Sequence, residues 1–315
     1  MKNKKIIIDT LGADMPPTEI CEGIKLNNNK NYHYVVVGPK EEIQKVLNNS
    51  DLSYEVIDTA DYISNKENPI NIIRNRESSS LYLSLINAKK EDAIGLISAG
   101  STGAIMVGSM FILGLEEHLQ SAVLACILYK FDNKPFCLVD CGANVNPLPS
   151  DMKVFAELGS RFMHSYSNIE NPKVGLLSVG KEKGKGNELV KKAYEILENS
   201  DLNFIGNIEI DNVFNSDVDV LVCDGFSGNL LLKNTESVAL MISNKIAKEY
   251  CTNENDLKKI SDSIFKLFSY NDQAGAILLG VKKIVVKVHG KANRLTISSA
   301  INQLIALNDG GYNNK

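Results

Sequence analysis

The sequence lacks a hydrophobic run long enough to cross a membrane. The longest nearly uncharged stretch, GAIMVGSMFILGL, covers residues 103–115. It is too short to span a bilayer, so a buried helix is expected there. The N-terminal stretch MKNKKIIIDTLGAD has only three consecutive isoleucines before Asp9. A secretion signal needs a longer apolar core, so we expect a cytoplasmic protein.

An excess of basic residues is lacking as well. The chain has 34 lysines and arginines against 38 acidic residues, which gives a net charge of −4. Nucleic-acid binding needs a dense basic footprint, so no nucleic-acid partner is expected. A chain of 315 residues is long enough for one large α/β domain or for two smaller lobes.

The cysteines lack the spacing of metal or redox motifs. No C-x-x-C pair is present, and no histidine lies nearby at a ligand spacing. Reduced, buried thiols are the expected state. The six residues are Cys21, Cys126, Cys137, Cys141, Cys223 and Cys251.

Standard motifs of nucleotide and nucleophile chemistry are also absent. No G-x-G-x-x-G follows the first apolar run, and GFSG at residues 225–228 lacks the G-x-S-x-G spacing. Of the four histidines, only His289 lies at the end of an apolar run beside a glycine. The acids at strand ends could equally cap helices, so no metal site is expected. This inventory favours a reaction carried out by positioning and charge stabilisation, without a covalent nucleophile.

The stretch KVGLLSVGKEKGKGNEL comes close to a P-loop. It fits G-x-x-x-x-G-K, but Glu182 stands where a P-loop has Ser or Thr. The spacer, residues 176–179, is predicted to end a buried strand, whereas a P-loop spacer wraps around phosphates. We therefore predict a strand, a glycine-rich loop from Gly180 to Gly186, and a helix that begins near Asn187.

Short apolar, β-branched runs recur along the chain. Their continuous apolar character indicates strands covered on both faces, hence an α/β fold with a largely parallel sheet. Segments of helical character separate the runs, and no internal repeat or linker is visible. The runs cover residues 5–9, 34–38, 93–98, 136–140, 174–180, 218–224 and 283–290.

Small, polar, glycine-rich turns follow most of these runs. Ligands of open α/β sheets bind at the carboxyl ends of the strands, and glycine lets the backbone approach an anion closely. Any one turn has a purely steric explanation, but six together predict an anion-binding cleft. The residues expected to bind substrate or phosphate are Asp9, Gly12, Asp14, Ser98, Gly100, Ser101, Thr102, Gly103, Asp140, Gly142, Asn144, Gly180, Gly186, Asp224, Gly225, Ser227, Gly228 and His289.

Several of these segments, taken in order, resemble the bacterial phosphate acyltransferase (PlsX) family of phospholipid synthesis. They are SAGSTGA, DCGAN, GLLSVGKEKGKGNEL, NFIGNIE, VDVLVCDGFSGNLLLK and GAILLG with VVKVHG. The resemblance implies transfer of a long-chain fatty acyl group from acyl-acyl carrier protein to inorganic phosphate, giving acyl phosphate. It also implies a three-layer α/β/α Rossmann-like fold, similar to the phosphotransacetylase and isopropylmalate dehydrogenase group, and no nucleotide or metal cofactor.

The resemblance implies partners too: acyl carrier protein, inorganic phosphate, a second copy of the chain, the membrane surface and the downstream glycerol-3-phosphate acyltransferase. The chain departs from the family motifs at several points. Ser101 replaces an Asn, Lys181 replaces a Glu, and Ile210-Asp211-Asn212 replaces Gly-Arg-Asp. These replacements are expected to change individual contacts with substrates, for example those with acyl carrier protein.

Three residues are expected to carry the reaction, in which phosphate attacks the thioester carbonyl directly. Lys185 and Asn187, at the start of a helix, would neutralise and orient phosphate. Asn229 would bind phosphate or the developing oxyanion. Alternatives stay open for neighbouring residues: Lys181 and Lys183 as solvated surface lysines, and Asn144 and Asn146 as turn residues before Pro147.

Residues 236–272 are predicted to form a protruding helical hairpin, joined near Cys251 to Asp256. Apolar residues recur at helical spacing in its second half, beside lysines. That helix either packs on the protein or across a dimer interface, or it lies on the membrane surface through Ile264, Phe265 and Phe268. The hairpin is expected within a single catalytic module, residues 1–315, or two lobes around a cleft.

Other functions remain as alternatives. A phosphotransacetylase that acts on short acyl-CoA would share the fold and the reaction type. A decarboxylating dehydrogenase of the related fold needs a metal-binding acid cluster and a nicotinamide site, and the sequence shows neither. A membrane-associated scaffold without catalysis is the alternative from a different class.

Overall fold

The computed structural model describes residues 4–250 and 275–312. The chain forms two compact units, one of residues 1–122 with 271–315, the other of residues 123–270. Its strands are β1 (Lys5–Asp9), β2 (His33–Gly38), β3 (Tyr54–Asp58), β4 (Ala93–Ser98), β5 (Val123–Tyr129), β6 (Pro135–Val139), β7 (Val174–Ser178), β8 (Phe204–Glu209), β9 (Val220–Val222), β10 (Ala276–Leu279) and β11 (Ile284–Lys287). Its helices are α1 (Pro17–Asn27), α2 (Lys40–Leu47), α3 (Ser80–Ala88), α4 (Thr102–Gly108), α5 (Pro149–Ser167), α6 (Glu188–Glu198), α7 (Gly225–Tyr250) and α8 (Arg294–Asp309).

The first unit has a mostly parallel sheet with the strand order β3-β2-β1-β4-β11-β10. Only its last pair, β10 with β11, is antiparallel. The isoleucines of β1, KIIID, are fully buried because helices cover this strand, which accounts for their continuous apolar run. α3 packs on β1 and β4, while α8 packs on β4, β11 and α1.

The second unit has the strand order β5-β6-β9-β7-β8. β5 and β6 are antiparallel, and the remaining pairs are parallel. α5 packs on β6 and β9, and α6 packs on β7 and β8. The predicted α/β class with a largely parallel sheet and flanking helices is therefore confirmed in each unit.

Four strands were not predicted from the sequence: β3, β5, β8 and β10. β3 and β8 each form an edge of the sheet of their unit, and most of their residues are only partly buried. Edge strands need not be apolar on both faces. β3 and β8 contain polar residues for this reason and therefore lack the continuous apolar run by which strands were predicted.

Three predicted features need correction. The stretch 103–115 is not one buried helix: α4 ends at Gly108, a π-helical turn Ser109–Leu113 follows, and Phe111 is 65% exposed. Val179 does not end a buried strand, since β7 stops at Ser178 and Val179 is 82% exposed.

The third correction concerns the helical hairpin. Its first helix does not begin near Glu236, because α7 already starts at Gly225. The second predicted helix, with Ile264, Phe265 and Phe268, lies outside the described residues. Within the described ranges, 4–250 and 275–312, no helix combines the length and apolar character needed to cross a bilayer.

The five described cysteines are buried free thiols, as expected. Burial raises the thiol pKa of Cys21 to about 12 and raises those of Cys126, Cys137 and Cys223. A raised pKa lowers the thiolate fraction, so these side chains behave as small apolar core residues.

Candidate active site

In the first unit, Asp9 and Ser98 join the ends of β1 and β4. The Asp9 carboxylate is 2% exposed and accepts hydrogen bonds from Ser98 Oγ at 2.7 Å and Leu11 N at 3.2 Å. Ser98 Oγ in turn accepts from Gly100 N at 3.1 Å. Burial raises the pKa of Asp9 to about 6, and the hydrogen bond from Ser98 opposes that rise. Asp9 therefore connects the loops that follow β1 and β4, both of which contain predicted site residues.

Glycines let the loops after β1, β4 and β11 approach one another. Gly12 has φ +76°, and a Cβ there would lie 3.2 Å from Gly100 Cα. Asp14 N donates to Gly290 O at 2.8 Å, and a Cβ on Gly290 would lie 3.0 Å from the Asp14 carboxylate. The structure thus brings these three loops close together in one unit.

The remaining predicted residues of the first unit lie at the same loops. Ser101 is buried and precedes α4, which begins at Thr102. A Cβ on Gly103 would lie 2.6 Å from Pro69 Cγ, so close packing explains that glycine. His289 is exposed, and its Nδ1 accepts from Lys291 N at 3.1 Å.

In the second unit, Asp140 organises the loop after β6. Its fully buried carboxylate accepts from Gly142 N at 3.0 Å, Ala143 N at 2.9 Å and Asn144 Nδ2 at 3.0 Å, and also from Leu124 N and Asn144 N. Burial raises the pKa of Asp140, and these hydrogen bonds oppose the rise. With its carboxylate bound inside the loop, Asp140 would act on a substrate through Asn144.

The start of α7 packs directly on this loop. A Cβ on Gly228 would lie 1.9 Å from Asp140 O, and one on Gly225 would lie 2.8 Å from Asn144 O. Both positions therefore require glycine. Asn229 follows at once, with its side chain beside Gly142: a Cβ on that glycine would be 3.7 Å from Asn229 Oδ1.

Backbone N–H groups at the start of α7 are mostly already bonded. Gly225 N donates to Asn144 O at 2.8 Å, and Gly228 N donates to Asp224 O at 3.0 Å. Ser227 donates both its N–H, at 2.9 Å, and its hydroxyl, at 2.7 Å, to the Asp224 carboxylate. Three of the four backbone N–H groups from Gly225 to Gly228 therefore already have hydrogen-bond partners within the protein.

The loop between β7 and α6, residues 180–186, carries three lysines and is called the lysine loop below. Lys185 is exposed, and its side chain lies against Gly180, where a Cβ would be 2.8 Å from Lys185 Cγ. Gly186, with φ +100°, leads into α6. Asn187 is the N-cap of α6, as the sequence predicted, and its Oδ1 accepts from Val190 N at 2.9 Å. That bond leaves the Nδ2 donors of Asn187 for a ligand.

The other two lysines of the lysine loop differ from Lys185. Lys183 pairs with Glu198 on the exposed side of α6 and lies over the Tyr194 ring. Lys183 therefore fits the surface alternative. Lys181 faces a second cavity, described below.

A cavity of about 520 Å³ opens in the second unit beside the lysine loop. Gly186, Asn187, Asp224 and Ser227, all predicted site residues, line it together with Ser178, Cys223 and Asn234. Its walls are otherwise apolar: Met152, Leu177, Val179, Val190, Ile210, Leu230 and Leu231. The structure thus places Gly186 and Asn187 on the same largely apolar pocket as Asp224 and Ser227, whereas Lys185 and Asn229 are not among its lining residues.

Sequence reasoning missed the apolar part of this pocket. Val179 and Ile210 are apolar residues within otherwise polar loop sequences, which is the signal that could have found them, and the structure leaves them 82% and 51% exposed. Ser178 was missed as well. Its hydroxyl is buried, lacks a hydrogen-bond partner among the described residues, and belongs to a residue that lines the pocket.

A second, polar cavity of about 460 Å³ lies on β8. Lys181 and Asn212, two of the departures from the family motifs, both line it, together with Tyr194, Asn207 and Glu209. In the described ranges, no group of three or more His, Cys, Asp or Glu side chains is arranged to hold a metal ion.

Comparison with protein families gives one match over nearly the whole chain. A family model described as "Fatty acid synthesis protein" matches residues 4–315. A phosphate acyltransferase of Clostridium tetani is 39% identical over 321 residues, covering 98% of this chain and 96% of that protein. A phosphate acyltransferase of Clostridioides difficile is 35% identical, covering 97% of this chain and 93% of that protein.

Solved structures show the same fold at low sequence identity. A phosphotransacetylase from Streptococcus pyogenes aligns with a TM-score of 0.65 and 18% identity, covering 98% of this chain and 94% of that one. A branched-chain phosphotransacylase from Enterococcus faecalis V583 aligns with a TM-score of 0.63 and 12% identity, covering 96% of this chain and 98% of that one.

Proposed function

Because the chain belongs to the phosphate acyltransferase family, as the family model and the curated relatives show, we propose that it transfers a long-chain fatty acyl group from acyl-acyl carrier protein to inorganic phosphate. Acyl transfer to phosphate is the activity of its relatives. The identity of the acyl donor and the release of acyl phosphate are the parts proposed here.

The observation that carries this proposal is the 520 Å³ pocket beside Asn187. Its walls are mainly apolar, whereas Asn187, Asp224 and Ser227 supply polar groups. Ligand sites commonly combine apolar walls with a few placed polar groups. An acetyl group would fill little of this volume, and a fatty acyl chain gains free energy with each methylene that it buries.

Lys185 supports the binding of phosphate near this pocket. Its ammonium is exposed at the end of the lysine loop, next to the start of α6. A lysine and a helix N-terminus both favour an anion, and Asn187 Nδ2 adds neutral donors. Phosphate held there would be oriented for attack without the need for a covalent intermediate.

In the proposed reaction a phosphate oxygen attacks the thioester carbonyl carbon. The C–O bond forms, the carbonyl oxygen becomes an oxyanion, and donors such as Asn229 and Ser178 would stabilise it. The C–S bond then breaks, the carrier leaves as a thiolate, and that thiolate takes up the proton that the phosphate loses. In the first unit, the loops around Gly12, Ser98 and Gly100 remain proposed phosphate-binding elements.

The test is to incubate the purified protein with long-chain acyl-acyl carrier protein, with and without inorganic phosphate, and to trap acyl phosphate with hydroxylamine. We expect phosphate to raise the yield of hydroxamate well above the phosphate-free background, which arises because hydroxylamine also reacts slowly with thioesters. Acetyl-CoA, run in parallel, should give little product. Product from acetyl-CoA alone would contradict the proposal and favour a phosphotransacetylase that acts on short acyl-CoA. No product from either donor would favour a scaffold without catalysis.

The proposal extends to a homodimer that contacts the membrane transiently and hands acyl phosphate to a glycerol-3-phosphate acyltransferase. Phe265 and Phe268, flanked by lysines in the sequence, support the membrane contact, since apolar residues beside lysines suit an anionic lipid surface.

A further inference from the structure

Asn207, a buried residue of the neighbouring strand β8, makes a partly buried contact with the lysine loop. The residue is only 5% exposed, and its Nδ2 donates to the carbonyl oxygen of Glu182 at 2.9 Å. The same oxygen accepts from Lys185 N at 3.0 Å, which closes the turn between Glu182 and Lys185. One carbonyl therefore joins Asn207 to the backbone of Lys185.

The other described contacts of the lysine loop are weaker. The pair of Lys183 with Glu198 is formed by side chains that are 56% and 41% exposed, and exposed ion pairs contribute little. Gly184 has open space around it, since a Cβ there would meet nothing within 4 Å. A partly buried hydrogen bond from Asn207 to the loop backbone thus restrains the position of Lys185 more firmly than the exposed ion pair of Lys183 does.

We infer that Asn207 is a positioning residue for Lys185 in phosphate binding. This inference rests on the proposed function, in which Lys185 holds phosphate. In this role Asn207 acts indirectly. Its hydrogen bond holds Glu182 O in place, and Glu182 O in turn holds the turn from Glu182 to Lys185, which carries the Lys185 ammonium. The affinity for phosphate depends on the position of the Lys185 ammonium, because a displaced ammonium loses much of its electrostatic attraction to the anion.

The first test measures the loop and needs no activity. The Asn207→Asp variant keeps the side-chain shape but places an acceptor against Glu182 O. Trypsin should then cut after Lys181, Lys183 and Lys185 about 3- to 10-fold faster than in the wild type, since losing one buried hydrogen bond favours local opening by that factor.

Asn203→Asp is the matched control. Asn203 Nδ2 donates to Asn171 O at 3.0 Å just before the start of β8, which is an exposed bond of the same amide-to-carbonyl type outside the lysine loop. That variant should leave cleavage in the lysine loop unchanged. Equal cleavage rates in Asn207→Asp and wild type would overturn the inference. If the Asp variant does not fold, Asn207→Ala removes the same donor without adding a charge.

The second test is a double-mutant cycle with Lys185→Ala, measured as kcat/KM for phosphate. Asn207→Asp alone should lower that ratio about 3- to 10-fold, mainly through a higher KM for phosphate. In the Lys185→Ala background, Asn207→Asp should not lower kcat/KM for phosphate any further, because the Lys185 side chain that Asn207 positions is absent.

Additive losses in that cycle would show that Asn207 does not act through Lys185. The outcomes also separate this inference from the proposed function. Absence of acyl phosphate in the wild type contradicts the function alone, and the cleavage measurement still decides whether Asn207 holds the lysine loop.

Discussion

Two buried carboxylates show how the same residue type behaves differently at single positions. Asp140 accepts hydrogen bonds from four backbone N–H groups and from one side-chain amide, whereas Asp9 accepts from Ser98 Oγ and Leu11 N. Donors stabilise the charged form and burial opposes it. With fewer donors, Asp9 keeps a pKa of about 6 against an ordinary 3.8.

The raised pKa of Asp9 predicts a pH-dependent stability. The folded protein holds this proton more tightly than the unfolded chain does, so the resulting stabilisation is present below pH 3.8 and is lost as pH rises through about 6. Asp9→Asn loses one accepted hydrogen bond at every pH but removes the penalty of ionising a buried carboxylate, so its free energy of unfolding relative to the wild type should rise by about 1–2 kcal/mol from pH 5 to pH 7.5. Urea unfolding at pH 5 and pH 7.5 measures the effect. A difference that does not change with pH would contradict this assignment.

Gly228 is the position where an added methyl group should do most harm. Its Cβ would overlap Asp140 O at 1.9 Å, so Gly228→Ala must displace either the loop after β6 or the start of α7. We expect a loss of about 1–3 kcal/mol or more in the free energy of unfolding. Gly184→Ala is the control, because its Cβ meets nothing within 4 Å. Equal stability of the two variants would contradict the packing described here.

At the scale of elements, α6 serves both stability and the proposed site through Asn187. Its Oδ1 caps the helix and its Nδ2 is proposed to bind phosphate. Asn187→Asp keeps the capping oxygen, so stability should stay within about 0.5 kcal/mol of the wild type, whereas Asn187→Ala should lose about 1 kcal/mol. Both variants should lose activity about 10²-fold, since both lack the amide donor. Thermal unfolding measures the capping role, and the hydroxamate assay measures the phosphate-binding role. An Asn187→Asp variant as active as the wild type would refute phosphate binding by Nδ2.

The predicted membrane contact belongs to the same scale. Replacing both Phe265 and Phe268 by Glu should reduce cosedimentation with anionic vesicles tenfold or more, because burial of each ring in lipid contributes about 1.5–3 kcal/mol. Turnover with soluble acyl-acyl carrier protein should be unchanged. Replacing both by Leu, which keeps the apolar character, is the control. Loss of turnover together with vesicle binding would instead indicate that these residues support the fold.

Sequence predicted several of the strands that helices cover, although β5 and β10, which are buried along most of their length, were not predicted. β1, β4, β6 and β7 were found because helices cover them and their apolar runs are continuous. β8 was missed because it lies at the edge of the sheet and lacks a continuous buried run: Ile205 is exposed, Asn207 is buried and its other four residues are partly buried. Its segment was noticed only through its resemblance to a family motif.

The predicted loops were found for a similar reason: glycine and polar residues after a strand are a local pattern. What those residues contact is not local. Asp140 binds its own loop, three N–H groups at the start of α7 have partners within the protein, and Asn207 reaches Glu182 across 25 positions of sequence. Such contacts depend on which strands are neighbours, and the sequence pattern does not specify that order.

At the scale of the whole molecule, the family match covers residues 4–315 and thus both units. The described pocket and the lysine loop belong to the second unit, and the Asp9–Ser98 pair belongs to the first. Phosphate is proposed to be held by the lysine loop, with Lys185 as its cation.

The most direct test of that claim is the phosphate dependence of acyl phosphate formation in the wild type, Lys185→Ala and Lys183→Ala. Lys185→Ala should lower kcat/KM for phosphate about 10²- to 10³-fold. Lys183→Ala should stay within about twofold, because its ammonium pairs with Glu198 at the exposed surface. Phosphate saturation of Lys185→Ala like that of the wild type, or an equal loss in both variants, would contradict the account.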